Sequence, residues 1–133
     1  MAVEHIFVYG TLMTGMSNHY LIEKYARNIT MGLIRGSLYH LEEGYPALVD
    51  GASEVRGEIV AIDNMQCALP VLDELEGYLG PGNPDNLYKR VIRQALGVDG
   101  KPVVVFVYIW AQPEHLSVIG QYVTGGCWRS FQK

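Results

Sequence analysis

Residues 88–110 constrain the fold more than any other part of this chain. Two runs rich in β-branched and aromatic residues, Tyr88 to Val98 and Pro102 to Trp110, flank the pair Asp99-Gly100. Asp-Gly between two strand-like runs is a strong hairpin signal, because the turn needs positive φ values that these residues tolerate. An antiparallel hairpin is therefore expected here. Upstream, Ile6 to Tyr9 reads as a short buried strand, and three glycine-punctuated segments follow at Leu33 to Leu41, Ala47 to Val49 and Glu54 to Ile62. Ser17 or Asn18 is placed to cap a helix whose apolar face would be Leu21, Ile22, Tyr25 and Ala26. Asn64 is placed to cap a second helix, MQCALPVLDELEGY, stopped by Gly77, with Pro70 either kinking it or opening a shorter one. Six or seven strands and two or three helices in irregular order predict a compact α+β domain, and 133 residues suit a single domain over 1–133.

Composition narrows the function. A net charge of −4, with no run of Lys or Arg, argues against a nucleic-acid partner. No apolar stretch reaches the ~18–20 residues of a membrane helix, and the N-terminus lacks the pattern of a signal peptide, so no membrane partner and a cytoplasmic location are expected. Cys67 and Cys127 are far apart in sequence, and the four histidines show no ligand spacing, so neither a disulfide framework nor a metal site is indicated. Cys67, on the second helix beside apolar residues, is expected in the core, and Cys127 partly exposed.

Two places carry candidate chemistry. The first strand runs into Gly10, and Gly10 and Gly15 have the spacing of a phosphate loop, but Met16 stands where the lysine that meets the phosphates should be. Nucleotide binding is thereby disfavoured. A glycine after a strand can still let successive amides converge on a small anion such as a carboxylate, and close approach of a ligand would be the reason for Gly10. An ordinary strand-ending turn fits the same spacing.

The second is LDELEGY. At helical spacing Leu72, Leu75 and Glu76 share a face, so Glu76 is expected to point inward while Asp73 and Glu74 point to solvent. A carboxyl on an apolar face loses solvation, its pKa rises, and it becomes suited to acid–base work near neutral pH. Pairing of Glu76 with Arg90 or Arg93 is the structural alternative. Residues 79–87, LGPGNPDNL, form the clearest loop in the chain and directly follow this helix, where a pocket wall or lid could lie.

VYGTLM, GSLYHLEEGYPAL, VRGEIVAI, LDELEGY followed by YKR, VFVYIW and GGCWRSF, in that order along nearly the whole chain, resemble the gamma-glutamylcyclotransferase-like family. The resemblance implies a small mixed β-barrel flanked by helices, with a pocket between the glycine loop and the glutamate helix. It implies cleavage of a gamma-glutamyl amide by attack of the substrate's own α-amine, releasing 5-oxoproline and a free amine or amino acid. Tyr9, Gly10, Thr11 and Leu12 match the substrate-holding loop, Glu76 the catalytic general acid/base, and Tyr88 a pocket tyrosine. Such a reaction needs no metal and no cofactor, only a small-molecule gamma-glutamyl substrate. A non-catalytic module binding a small carboxylate metabolite is the alternative from another class, and a glycosidase pairing Glu76 with a second carboxylate is a third.

Overall fold

A computed structural model describes residues 3–115 and 120–131. The strands are β1 (His5–Val8), β2 (Ala26–Leu41), β3 (Pro46–Ile62), β4 (Tyr88–Gly97), β5 (Pro102–Trp110) and β6 (Gly120–Tyr122). The helices are α1 (His19–Glu23), α2 (Met65–Glu76) and α3 (Trp128–Phe131), with a 3₁₀ turn at Pro113–His115. The strand order is β3-β1-β5-β4-β2-β6, and an additional β2–β3 pairing joins the ends. Five strands thus close into a barrel, with β6 hydrogen-bonded to the outer part of β2. The β1–β5 pairing is parallel and the others are antiparallel, so the barrel is mixed.

The β4–β5 hairpin runs in register from Tyr88↔Trp110 to Leu96↔Pro102, with Gly100 at φ 77° in its turn. Closure lets the strands bury both faces. Ile6, Phe7, Leu38, Leu48, Val55, Val60, Val105 and Val107 are all essentially inaccessible and form one core with Leu72 of α2.

Three local expectations are corrected. The segments expected between residues 33 and 62 are two strands of 16 and 17 residues. Gly36 falls at a register shift between Arg35 and Ser37, where a glycine accommodates a bulge without ending the strand. The α1 helix stops at Glu23, so Ala26 begins β2 instead of completing a helical face. Asn18 occupies the N-cap position of α1 without capping it, because its side-chain amide donates to Thr11 Oγ1 at 3.0 Å.

The second helix follows its sequence signals at both ends. Asn64 Oδ1 accepts from the Cys67 amide at 3.3 Å, and Gly77 closes the helix in a left-handed conformation at φ 67°. Pro70 lies inside it, on an exposed flank with Gln66, whose carbonyl it leaves without a helical partner. Cys67 is exposed, contrary to expectation. The buried stripe is Ala68 and Leu72, and Cys67 precedes it by one residue, about 100° around the helix.

Candidate active site

The chain leaves β1 at Val8 and turns through Tyr9 to Leu12 before entering α1. This loop, the last turn of α2 and the start of β4 enclose a cavity of about 240 Å³. All six residues singled out in the sequence (Tyr9, Gly10, Thr11, Leu12, Glu76 and Tyr88) line it.

The loop is folded on itself by turn hydrogen bonds. The amides of Met13, Met16 and Asn18 donate to the carbonyls of Gly10, Met13 and Thr11 at 3.0, 2.9 and 2.9 Å. The amides of Gly10, Thr11 and Leu12 have no acceptor among the described residues. Backbone amides away from bulk water are normally paired. Gly10, Thr11 and Leu12 all line the cavity, and successive amides without acceptors are the kind of donors that can converge on an anion. Packing supplies a reason for glycine at position 10 beside the one expected. A Cβ there would lie 2.5 Å from Pro46 Cγ and 2.9 Å from Cδ, so Gly10 is required by close packing against Pro46.

Glu76 is the last residue of α2, and Leu72 and Leu75 carry it toward the cavity as their shared face predicts. Part of the residue remains accessible, but burial of its carboxyl pushes its pKa up to about 7. Its position at a helix C-terminus, where the macrodipole is negative, acts in the same direction. Glu76 makes no hydrogen bond or ion pair with any described residue. Neither arginine offered as a partner reaches it. Arg90 pairs with Asp73 at 2.6 Å and Arg93 with Asp50 at 3.0 Å. Among the described residues that line the cavity, Glu76 is the one carboxyl and none is Lys, Arg or His.

Asp73 does not point to solvent, which corrects the sequence reading. Its Oδ1 accepts from the Tyr108 hydroxyl at 2.6 Å, and both its oxygens accept from Arg90 Nη1, at 2.8 and 2.6 Å. Arg90 and Tyr108 are direct partners across the β4–β5 hairpin, so one carboxylate meets donors from both strands. On a helical wheel Asp73 stands about 60° from Glu76, on the flank of the inward face, while Glu74 is nearly opposite and exposed.

The tyrosines build the walls. Tyr9 donates its hydroxyl to the Tyr108 carbonyl at 2.6 Å, and Tyr88 donates to the Pro46 carbonyl. Burial and then neighbouring charge, that of Glu76 among them, raise the pKa of both phenols, so they stay neutral. Tyr45, whose ring centroid is 6.3 Å from that of Tyr88, and Asn18 and Tyr108 also line the cavity. None of these three was singled out in the sequence. Tyr45 lies in GSLYHLEEGYPAL, but an aromatic beside a turn carries no signal of its orientation, and Asn18 reads as a helix cap. Among the described residues no group of three or more His, Cys, Asp or Glu side chains is placed to hold a metal ion.

The family described as gamma-glutamyl cyclotransferase, AIG2-like, matches residues 6–130. The chain belongs to this family of enzymes. A relative from Niallia circulans, gamma-L-glutamyl-butirosin B gamma-glutamyl cyclotransferase, is 34% identical over 116 residues, covering 84% of this chain and 70% of that protein. Among solved structures, the mouse AIG2-like protein superposes with a TM-score of 0.66 at 26% identity, covering 92% of this chain and 87% of that one. YkqA of Bacillus subtilis superposes at 0.71 with 21% identity and shares the barrel fold. The match covers 98% of this chain but spans 41% of the Bacillus protein's length. A protein of Pyrococcus horikoshii superposes at 0.68 with 21% identity, covering 98% and 93% of the two chains.

Proposed function

We propose that this cyclotransferase-family protein cleaves gamma-glutamyl amides to 5-oxoproline and a free amine, with Glu76 as general base and then general acid. The observation that carries the reading is an unpartnered carboxyl of raised pKa sharing one cavity with three unpaired amides of the Tyr9–Leu12 loop. A gamma-glutamyl group has a matching pair of charges. Its α-carboxylate suits the amides of Gly10, Thr11 and Leu12, and its α-ammonium suits Glu76, the acid of a cavity lined by no cation.

The chemistry then needs little else. The substrate carries its own nucleophile, and closing a five-membered ring within one bound molecule supplies a large effective molarity. An ammonium cannot attack, so Glu76 takes one proton from it. The freed amine adds to the γ-carbonyl, forming the ring C–N bond, and Glu76 returns its proton to the amide nitrogen so that the γ-C–N bond breaks. The surplus proton on the ring nitrogen passes through Glu76 to the departing amine. Atoms balance as one amide in, one lactam and one amine out. A carboxyl with a pKa near 7 can both accept and return a proton at neutral pH. The rings of Tyr9, Tyr45 and Tyr88 line the cavity that Glu76 shares with the loop.

Incubation with a panel of gamma-glutamyl amines and amino acids, followed by mass spectrometry for 5-oxoproline, tests the reading. Release of 5-oxoproline with stoichiometric amine is expected. Tight binding of 5-oxoproline without turnover of any panel member would instead favour a carboxylate-binding module.

A further inference from the structure

Glu58 is a buried carboxylate that the proposed reaction does not use. It lies on β3 directly opposite Val8, the last residue of β1, and is only 5% exposed. Val60 and Ile62, its same-face neighbours on the strand, are buried and apolar. Burying a carboxylate in such a setting costs several kcal/mol unless its oxygens are matched by donors. An aliphatic side chain would pack there at less cost.

The donors are specific. Oε1 accepts from the amide of Thr14 at 2.8 Å and from the Thr14 hydroxyl at 3.1 Å. Oε2 lies 3.5 Å from Nη2 of Arg129 in α3. Thr14 follows the three unpaired amides by two residues, and its own amide is the next one in the loop to find an anionic acceptor. The same C-terminal segment braces the loop from a second direction. The Arg56 amide donates to the Gly126 carbonyl at 2.7 Å, which fastens that segment to β3. Trp128 is buried within 4.0 Å of the point where a Gly10 Cβ would stand.

We infer that Glu58 is a positioning residue for substrate binding. Facing Arg129 of α3 at 3.5 Å, it anchors Thr14 and so fixes the direction in which the Gly10, Thr11 and Leu12 amides point. The inference rests on the reading that this loop holds the α-carboxylate of the glutamyl group. An amide nest binds an anion well only when its donors are preorganised. A residue that sets this preorganisation acts on the ground state and transition state alike, so its loss raises KM and leaves kcat nearly unchanged.

Titration calorimetry with 5-oxoproline and steady-state kinetics on Glu58→Leu, Glu58→Gln, Thr14→Val and Arg129→Met test this. Loss of a charged hydrogen-bond acceptor predicts about tenfold weaker 5-oxoproline binding and a similar rise in KM for Glu58→Leu, with kcat within about threefold. Glu58→Gln keeps an acceptor for the Thr14 amide and should restore most of the affinity. A folded Glu58→Leu protein with normal 5-oxoproline affinity, or one losing kcat at constant KM, would overturn the inference. If Glu58→Leu does not fold, Thr14→Val and Arg129→Met decide. A KM rise of about two- to fivefold in at least one supports the role, and normal KM in both overturns it. Failure of the wild-type protein to bind 5-oxoproline would overturn the carboxylate reading of the loop, and this inference with it.

Discussion

Asp73 and Glu76 lie one helical turn apart on α2, and their surroundings are opposite. Asp73 is held by three hydrogen bonds from Arg90 and Tyr108, and the Arg90 guanidinium also lies 5.3 and 5.2 Å from the ring centroids of Tyr78 and Phe106. Glu76 has burial without a partner, and its pKa rises to about 7. A carboxylate held by fixed donors from both strands joins helix to hairpin and is committed to the fold. One stripped of water and given no partner keeps its capacity for a substrate. Under the proposed reaction the difference gives Asp73 an architectural part and Glu76 the chemical one, although the sequence offers both on the same short motif.

The sharpest way to break this contrast is Glu76→Gln. It keeps size and most hydrogen bonding but cannot take a proton from an ammonium, so turnover should fall about 100-fold or more. Binding of 5-oxoproline should survive, since the loop amides would hold it. Stability carries its own signature. Between pH 4.5 and about 7 the folded chain retains a proton on Glu76 that the unfolded chain has released, so this group makes stability fall as pH rises through that window. The variant should lose that slope and, above pH 7, gain on the order of 2 kcal/mol. Thermal unfolding at pH 5 and pH 8 reads it.

Asp73→Ala should invert the pattern. It leaves the partly buried Arg90 and the buried Tyr108 without their acceptor and should cost about 1–3 kcal/mol in urea unfolding, with a smaller effect on turnover. A stable but inactive Asp73→Ala protein would reverse the assignment of the two carboxylates.

The loop after α2 is a smaller test. Its base is fastened by buried Asn86, whose Oδ1 accepts from the Leu79 amide at 2.5 Å and whose Nδ2 donates to the Gly80 carbonyl at 2.9 Å. Leu87, just beyond, lines the cavity. Replacing residues 81–85 by a shorter glycine linker should change relative rates among leaving amines by about fivefold while hardly moving the melting temperature. Equal rate losses across a varied amine panel would remove a selectivity role. Glu74→Gln, exposed on the far side of α2, should shift stability by less than about 0.5 kcal/mol and leave turnover unchanged.

The elements legible in the sequence were those whose signals are local. Asp99-Gly100 marked the hairpin, and Asn64 and Gly77 bounded α2, because turn and cap chemistry resides in a few adjacent residues. Helical periodicity also turned Glu76 inward, where it lines the cavity. Glycines at 44 and 51 fall between the segments expected there, yet β3 runs through Gly51, since a strand tolerates glycine where another chain segment packs closely. The fate of Asp73 was illegible for a related reason. Its partners Arg90 and Tyr108 come from strands 17 and 35 residues away, and only barrel closure brings them to the flank of α2. The same holds for Tyr45 and Asn18, which reach the cavity from separate loops.

Site-specific titration of the Glu76 carboxyl tests the central claim most directly, using carbon-13 NMR of glutamate-labelled protein with Glu76→Gln to assign the resonance. The account predicts a midpoint of about 7, with kcat/KM for a gamma-glutamyl amide rising with pH through that same midpoint as the free-enzyme base ionises. A Glu76 midpoint near the ordinary carboxylate value of 4.5, or a rate independent of the ionisation observed, would contradict it.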